Sequence, residues 1–242
     1  MIDVKNIALG QPIEYGFWGI KRRLNIIKKY INLDNKYLLD IGCGNGAQTF
    51  EFLNYVQKCV AIDVEIKRLQ TFQDKLLKEN IKNCEIKQMD ASNLQFPDET
   101  FDVITCIETL EHVSDQKKAL KEMYRVLKNN GGLILSVPNK WWIFETHGAN
   151  LPLLSWNRVP FFSWLPSKIH DRHAYARIYT RNGIIALVKK AGFRNTKIEF
   201  MMPPLDRLRS RFLQKILRRI VPKLERSPLR VFGVSIFIFA KK

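Results

Sequence analysis

The sequence predicts an α/β fold, in which a doubly wound, mainly parallel sheet carries helices on both faces. Between residues 36 and 137, short runs rich in Ile, Val and Leu alternate with stretches whose apolar residues recur at a spacing near 3.6. A glycine-rich turn follows the first of these runs directly. Such alternation is typical of parallel sheets, whose ligands bind at the carboxyl ends of the strands.

The elements follow one another in a regular order. Five strands are predicted at YLLDIG, KCVAIDV, CEIKQMD, FDVITCI and GGLILSVP, each bounded by turn or polar residues. Helices are predicted between them at AQTFEFLNYVQK, EIKRLQTFQDKLLKEN and DQKKALKEMYRVLKNN, the last running into the helix-stop signal Asn-Asn-Gly-Gly. A further helix, TRNGIIALVKKAGF, is predicted to end near Gly192, and strand-like segments follow at TKIEFMM and VFGVSIFIFA.

Length and composition limit the class of protein. The 242 residues, 46% of them hydrophobic, are enough for one compact domain, and a single domain over 1–242 with insertions is expected. No apolar run reaches the roughly 20 residues of a membrane-spanning helix. The amino terminus MIDVKNIALG carries charges where a signal peptide would be apolar, so a cytoplasmic protein is expected. The four cysteines form no C-x-x-C pair and are predicted to be reduced and structural.

The chain is strongly basic. It has 40 Lys and Arg against 23 Asp and Glu, for a net charge of +17. A bias of this size favours an anionic partner such as nucleic acid, acidic lipid or a phosphorylated substrate. Residues 203–242 hold 11 basic and only 2 acidic residues, so much of the charge is concentrated there.

The first predicted strand leads into a turn with glycine at positions 42, 44 and 46. Glycine between a strand and a helix permits close approach of the backbone to a ligand. A dinucleotide-binding turn would space its glycines G-x-G-x-x-G and hold a pyrophosphate. Here the spacing is G-x-G-x-G and Asp40 precedes it, and a carboxylate repels phosphate but attracts an ammonium group. The turn favours a zwitterionic ligand and disfavours a nicotinamide oxidoreductase.

Two further aspartates end the next two predicted strands. Asp63 ends KCVAID, where an acidic side chain can accept both hydroxyls of a ribose. Asp90 ends CEIKQMD, where an acceptor can take the amino group of an adenine. An ammonium group, a ribose and an adenine together describe S-adenosyl-L-methionine.

The segments LLDIGCGNG, AIDV, MDASNLQFPDETFDVI, ETLEHV and RVLKNNGGLILSVPN occur in an order and spacing that resembles the class I S-adenosylmethionine-dependent methyltransferases, in particular the group that includes quinone-biosynthesis enzymes. The resemblance runs from about Tyr37 to Phe193. It implies a seven-stranded Rossmann-like sheet with an antiparallel last strand inserted beside the last parallel one. It also implies the cofactor-binding residues, which are Asp40, Gly42, Cys43, Gly44 and Gly46 in the first turn, Asp63 and Val64 after the second strand, Asp90 and Ala91 after the third, and Ile107 at the end of the fourth.

Candidate catalytic residues lie after the fourth strand and in the segment beyond Pro138. Methyl transfer from a sulfonium requires alignment, exclusion of water and, for a hydroxyl acceptor, a base. His147 in FETHG is the favoured base, and Glu111 and His112 in ETLEHV are further candidates, since a Glu-His pair can fix a tautomer. The alternative is structural: Glu111 and His112 orient the loop after the fourth strand, and His147 serves only as a hydrogen-bonded structural residue.

A metal site is a competing interpretation of the same residues. Glu108, Glu111 and His112, with His170 or His173 about sixty positions on, resemble the divalent-metal set of small-RNA 2′-O-methyltransferases and of some ubiquinone-biosynthesis O-methyltransferases. Two carboxylates and two imidazoles suit a hard or borderline cation that lowers the pKa of an acceptor hydroxyl. The same Glu-His pair is also common in the wider family without metal.

Two segments are predicted to serve the acceptor. Residues 139–179 hold four of the five tryptophans, and this bulky, proline-spaced insertion predicts an apolar wall for a large, flat or lipidic substrate, or else a plain hydrophobic flap. Residues 203–230 separate the last two strands, where a hairpin would need only 2–5. From Leu205 to Val221 the apolar residues gather on one side with arginines opposite, as in a helix lying on an anionic membrane or one packed on the domain.

The leading hypothesis is a methyltransferase that acts on a hydrophobic small molecule, quinone-like or lipid-linked, with peripheral association to an anionic membrane surface. An RNA methyltransferase, metal-assisted, is the first alternative, although no dedicated RNA-binding module is recognisable. A non-catalytic protein that retains the fold is the second. The intact glycine turn and its three acidic positions argue for retained cofactor binding.

Overall fold

The computed structural model describes residues 14–150, 160–206 and 208–242. Its strands are β1 (Tyr37–Ile41), β2 (Lys58–Asp63), β3 (Cys84–Gln88), β4 (Phe101–Ile107), β5 (Leu127–Pro138), β6 (Arg194–Met201) and β7 (Ser235–Lys241). Its α-helices are α1 (Trp18–Lys28), α2 (Ala47–Phe52), α3 (Ile66–Lys78), α4 (Gln116–Val126), α5 (Ser167–His173), α6 (Arg181–Lys190) and α7 (Arg211–Arg226). None of the helices in the described part of the chain is long and apolar enough to cross a membrane.

The seven strands form one sheet in the order β3-β2-β1-β4-β5-β7-β6. Strands β1 to β5 pair in parallel, and β7 runs antiparallel between β5 and β6. This confirms the predicted doubly wound sheet and its antiparallel insertion. The chain reverses its direction of winding between β1 and β4, and a crevice opens there at the carboxyl ends of the strands.

Helices pack on both faces of the sheet and form one core on each side. Because successive side chains of a strand point to opposite sides, neighbouring residues of one strand enter different cores. Leu39 of β1 belongs to a core that includes residues of α4 and α6, whereas Leu38 belongs to a second core formed with α1, α2 and α3. Side chains cap four of the helices: Glu65, Asp115, Thr180 and Ser210 accept a backbone N–H in the first turn of α3, α4, α6 and α7.

Several predicted helix bounds are wrong. Helix α2 ends at Phe52, about six residues early, because the Asn83 amide donates to the carbonyls of Leu53 and Val56 and holds them outside a helix. Helix α4 ends at Val126 rather than in the Asn-Asn-Gly-Gly stretch, where β5 has already begun. Helix α1 has no counterpart in the sequence-based prediction.

The helix predicted from Leu205 begins only at Arg211 and continues to Arg226. Leu205 has a left-handed backbone with φ of 61°, which a right-handed helix excludes. The Asp206 carboxylate accepts the backbone N–H groups of Trp18 and Gly19 at 3.0 and 2.9 Å, so residue 206 is anchored to α1. Both features delay the start of α7. Arg207 and Trp156, which entered the sequence-based prediction, lie outside the described residues.

All four cysteines are free thiols, as predicted. Burial raises the pKa of the thiols of Cys43, Cys59 and Cys106 well above its ordinary value. A thiol in this state is a poor nucleophile and a poor metal ligand, because both roles require the thiolate.

Removing a ring from the second core should destabilise the domain strongly. Phe237→Ala replaces a fully buried ring of β7, and we expect the free energy of unfolding to fall by about 3–5 kcal/mol. Phe212→Ala is the matched control, since that ring is 75% exposed and its loss should change the free energy by less than about 0.5 kcal/mol. Urea titration of both variants measures the difference, and equal losses would contradict the assignment of Phe237 to the core.

Candidate functional site

A cavity of about 510 Å³ opens at the carboxyl ends of β1, β2 and β4. It therefore lies at the point where the winding of the sheet reverses. Of the predicted cofactor-binding residues, its wall includes Asp40, Gly42, Cys43, Gly44, Asp63, Val64, Asp90, Ala91 and Ile107. Gly46 lies outside the wall and serves as the N-cap of α2.

The glycine turn has a backbone that other residues rarely adopt. Gly42, Gly44 and Gly46 have φ of 73°, 56° and 79°, all in the left-handed region. Packing behind the turn excludes side chains as well: a Cβ on Gly46 would lie 2.0 Å from the Phe72 ring, and one on Gly42 would lie 2.2 Å from Thr109. Both constraints require glycine, which is the physical reason for the motif.

Asp40 lies within β1 rather than in the turn, and it is 3% exposed. Its two carboxylate oxygens accept the hydroxyls of Thr49 on α2 and Thr105 on β4, at 2.5 and 2.6 Å. Burial raises the pKa of Asp40 to about 6, although both hydroxyls oppose this by stabilising the charged form. Each oxygen has a further lone pair, so the carboxylate can still attract a cationic ligand in the cavity.

Asp63 is the last residue of β2 and is 7% exposed. One oxygen accepts the backbone N–H of Gly44 at 2.8 Å, and the other accepts that of Glu65 at 2.9 Å. Asp63 therefore fixes the position of the glycine turn relative to β2. Its orientation leaves it on the cavity wall beside Val64, an apolar side chain that is 45% exposed.

Asp90 lies two residues beyond the end of β3, and its carboxylate is exposed. It accepts the backbone N–H and the hydroxyl of Ser92 at 2.6 and 2.7 Å. Ala91 is buried behind it, and Met89 and Ile107 add apolar surface to the wall. This end of the cavity combines a carboxylate with an apolar slot, which suits a flat heterocycle that carries an amino group.

The three candidate catalytic residues converge at the other end of the cavity. Glu111 is fully buried, and its carboxyl lies 3.5 Å from Nε2 of His147 and 3.9 Å from Nε2 of His112. The two imidazole rings meet edge to face with centroids 5.0 Å apart. Both histidines line the cavity, whereas Glu111 lies behind the wall. His147 reaches this place from the aromatic insertion, about 35 residues further along the chain.

Burial holds the pKa of Glu111 well above its usual range, and the nearby charge of Glu108 adds to this effect. Burial therefore favours the protonated form of this carboxyl. Neither of its oxygens has a hydrogen-bond partner among the described residues. A buried carboxyl without a partner is costly, which is a reason to expect that it acts on a neighbouring group or ligand.

The metal set predicted from the sequence is only partly assembled. Ligand atoms of Glu111, His112 and His147 all lie within 4.8 Å of one another, an arrangement that can hold a cation. His170 is elsewhere, fully buried with its Nε2 at 3.0 Å from the Glu145 carboxylate. His173 Nδ1 lies 3.0 Å from the carbonyl of Asn150. The inclusion of His170 or His173 was wrong, because helix α5 packs their rings against the insertion instead of the cavity.

Sequence reasoning missed Arg23 of α1, which also lines the cavity. Its Nε atom is buried without a hydrogen-bond partner in the described residues, and burial lowers the pKa of the guanidinium. The carboxyls of Glu108 and Glu111 and the Asp206 carboxylate act in the opposite direction. No local motif marks Arg23, since it reaches the cavity only through the packing of α1 on the domain. It places at the cavity wall a guanidinium suited to a carboxylate.

Comparison with known proteins supports a methyltransferase interpretation of this site. A family model described as a methyltransferase domain matches residues 39–135. The ubiquinone/menaquinone biosynthesis C-methyltransferase UbiE of Cronobacter sakazakii is 32% identical over 203 residues, which cover 80% of this chain and 80% of that protein. The uncharacterized methyltransferase YcgJ of Bacillus subtilis is 37% identical over 98 residues, which cover 40% of this chain and 39% of that protein.

Among solved structures, phosphoethanolamine N-methyltransferase 2 of Haemonchus contortus, in complex with S-adenosyl-L-methionine, superposes with a TM-score of 0.62 at 19% identity. The match covers 92% of this chain and 52% of that one. At this identity the likeness concerns the fold. The chain spans 39%, 46% and 65% of the lengths of the first three curated relatives that it matches.

The raised pKa of Asp40 predicts a pH-dependent contribution to stability. The folded carboxyl keeps its proton up to about pH 6, whereas in the unfolded chain it loses the proton near 3.8, so this group lowers the free energy of unfolding as the pH rises through that window. Asp40→Asn has no such proton. We expect the variant to gain about 3 kcal/mol relative to wild type between pH 4 and pH 7.

Urea titrations at several pH values measure this difference. The matched control is Asp74→Asn, which makes the same substitution at an exposed position of α3. A constant difference between Asp40→Asn and wild type would contradict the burial of a proton at this position.

Proposed function

Because the chain belongs to the class I S-adenosylmethionine-dependent methyltransferase family, we propose that it transfers a methyl group from S-adenosyl-L-methionine to a hydrophobic acceptor, quinone-like or lipid-linked. The observation that carries the proposal is the acidic, glycine-floored cavity at the reversal point of the sheet, with Asp40, Asp63 and Asp90 along its wall. Such acceptors partition into membranes, so peripheral association with an anionic membrane surface is part of the proposal.

The residues present fit this cofactor. In the proposal Asp40 and the glycine turn receive the methionine portion, with Arg23 opposite its carboxylate. Asp63 receives the ribose hydroxyls through the lone pairs that the N–H groups of Gly44 and Glu65 leave open. Asp90 receives the adenine amino group beside Val64. A predominance of carboxylates suits a ligand with a sulfonium and an ammonium group, and it disfavours a pyrophosphate.

When bound, the cofactor supplies an activated methyl group on a cationic leaving group, so the displacement needs little covalent help. The protein must then align the acceptor, exclude water and remove a proton from a hydroxyl acceptor. His147 is the proposed base, since it lines the cavity and its Nδ1 lies 2.9 Å from the Thr146 hydroxyl. Glu111 is a positioning residue: its carboxyl lies 3.5 Å from Nε2 of His147 and can fix the tautomer and orientation of that ring.

The acceptor chamber is attributed to the aromatic insertion. Several of its rings pack against one another, with Trp142 and Phe144 at 5.8 Å and Trp141 and Trp164 at 6.2 Å between centroids. Thr146 and His147, which come shortly after Phe144 in the chain, line the cavity. An apolar wall next to a base favours a phenolic or quinone-like ring, and the similarity to UbiE of Cronobacter sakazakii supports the same class.

Cofactor binding can be tested without knowledge of the acceptor. Titration calorimetry with S-adenosylhomocysteine should give binding for the wild-type chain. Asp63→Ala should weaken binding by at least about tenfold, because it removes a buried acceptor and loosens the glycine turn. Asp74→Ala, an exposed aspartate of α3, is the control and should bind like wild type. Absence of binding by the wild-type chain would defeat the proposal.

Turnover is tested with radiolabelled cofactor against a lipid extract and an RNA fraction in parallel. Label should enter the lipid extract, and label only in RNA would contradict the proposed acceptor. His147→Gln should lower the rate constant by about 10²–10⁴ and remove the ionisation of a base from the pH–rate profile, with cofactor affinity unchanged. His173→Gln, which does not line the cavity, is the control.

A chelator provides the competing outcome for Glu111, His112 and His147. If the three groups hold a cation, chelation should abolish turnover and added manganese or zinc should restore it. Turnover that is insensitive to chelation is expected if His147 acts as a base.

A further inference from the structure

We propose that the outer side of α7, the turn Pro228–Phe232 and the aromatic cluster around Trp164 form one surface that binds an anionic lipid bilayer. This inference deepens the membrane association in the proposed function by naming the surface that makes it. Its test does not depend on turnover.

Helix α7 is fixed to the domain along one side only. Val221 is buried on that side, the Arg218 guanidinium pairs with Asp206 at 2.7 Å, and Glu225 accepts the backbone N–H of Met202 at 2.9 Å and pairs with Arg22. On the helical wheel of the sequence, Arg218 is one of the arginines opposite the apolar residues, and in the structure it faces the domain. Because Arg218 faces the domain, part of the apolar side of the helix faces away from it.

That outward arc is a row of large apolar side chains. Phe212, Ile216 and Ile220 follow one another at a spacing of four and are 75%, 39% and 42% exposed, and Leu213 beside them is 43% exposed. Residues four apart lie on the same face of a helix, so this row is continuous. A helix that only covered the domain core would turn these side chains inward. Contiguous exposure of this kind marks an interaction surface.

A row of basic residues runs beside the apolar row. Lys215, Arg219 and Lys223 also lie four residues apart, and all three are exposed. Each of them lies three residues after a member of the apolar row, so the two rows run side by side along the helix. They make no ion pair among the described residues. Long basic side chains next to an apolar row can reach lipid phosphates while the apolar row enters the acyl boundary.

The apolar surface continues beyond the helix. Leu229 and Val231 in the next turn are 52% and 40% exposed, and the Phe232 ring stacks on Trp164 at 6.1 Å between centroids. Trp164 contacts Phe161 at 5.0 Å. The two insertions, far apart in sequence, are thus joined into one surface. Tryptophan is the residue that prefers the interface between headgroups and acyl chains.

Hydrogen bonds connect the two insertions next to the cavity. The buried amide of Asn139, at the end of β5, donates to the carbonyls of Val231 and Gly233 at 2.8 and 2.7 Å. Val234 and Ser235, the next residues, line the cavity. A bilayer against this surface would therefore lie close to the part of the cavity wall that Val234 and Ser235 form.

Charge and apolar area together select the bilayer among possible partners. RNA would contact Lys215, Arg219 and Lys223 but leave the row of Phe212, Ile216 and Ile220 in water. A second copy of the chain would bring two basic rows together, which like-charge repulsion opposes in a protein of net charge +17. Anionic lipid satisfies both rows at once.

The experiment is co-sedimentation of the full chain with vesicles of phosphatidylcholine alone or mixed with phosphatidylglycerol. Wild type should bind the anionic vesicles at least about tenfold more tightly, and the preference should shrink as salt rises. The apolar triple variant Phe212→Ser, Ile216→Ser, Ile220→Ser and the basic triple variant Lys215→Gln, Arg219→Gln, Lys223→Gln should each lose at least about tenfold in affinity. These positions are exposed, so thermal unfolding should stay at the wild-type temperature.

Matched controls come from the other face of the sheet. Lys117→Gln, Lys118→Gln, Lys121→Gln on α4 removes the same charge from exposed positions, and it should bind vesicles like wild type. Equal loss by this control would reduce the effect to net charge and overturn the proposal. The proposal is also overturned if the wild type binds neither kind of vesicle, or if it binds RNA and only the basic triple variant loses that binding. A wild-type dimer that dissociates in the apolar triple variant would overturn it as well.

Failure of this inference is distinguishable from failure of the proposed function. Vesicle binding is measured without cofactor or acceptor. A chain that binds vesicles but not S-adenosylhomocysteine would defeat methyl transfer and leave the surface standing. A chain that binds S-adenosylhomocysteine but no vesicle would do the reverse.

Discussion

The candidate site depends on one buried carboxylate and the two hydroxyls that hold it. Asp40 comes from β1, Thr49 from α2 and Thr105 from β4, so a single set of short hydrogen bonds joins the three elements that meet where the sheet reverses. Desolvating a carboxylate is costly, and the hydroxyls offset only part of that cost, as the raised pKa of Asp40 indicates. Such a group is stable there only while the surrounding elements keep their places. Asp63 extends the same arrangement by tying the glycine turn to β2.

The segment of residues 203–230 has a structural role as well as an exposed face. Asp206 accepts two N–H groups at the start of α1, and Glu225 of α7 pairs with Arg22. These contacts fix α1 across the cavity, and α1 in turn brings Arg23 to the cavity wall. The insertion therefore completes the site from a distance of about 180 residues in sequence. This segment, an insertion in the sequence, thus helps to hold the cavity wall in place.

The aromatic insertion, residues 139–179, likewise contributes residues to the cavity and has structural residues of its own. It delivers Thr146 and His147 to the cavity and fixes itself with the buried pair of His170 and Glu145. Two histidines of one insertion thus have different surroundings: His147 lies beside the buried carboxyl of Glu111 at the cavity, and His170 lies inside the insertion. Both side chains are imidazoles, so the difference between the two histidines comes from where the fold buries them.

The order of strands and helices, the glycine turn and its acidic neighbours could be predicted from the sequence. These features depend on local periodicity, on backbone φ and on the direction of parallel strands. Asp40, Asp63 and Asp90 could be found in this way, since each lies at or near a strand end. The sequence could not find Arg23 or the start of α7 at Arg211, and it offered His170 or His173 as a metal ligand although both lie away from the cavity. Those outcomes were decided by packing: a helix registers against the domain through contacts such as Asp206 with Trp18 and Gly19, and no local pattern encodes a contact between residues so far apart in the chain. The helical wheel of α7 gave its apolar arc, but only the tertiary fold decided which half of that arc faces inward, because the position of Arg218 is set by its pairing with Asp206.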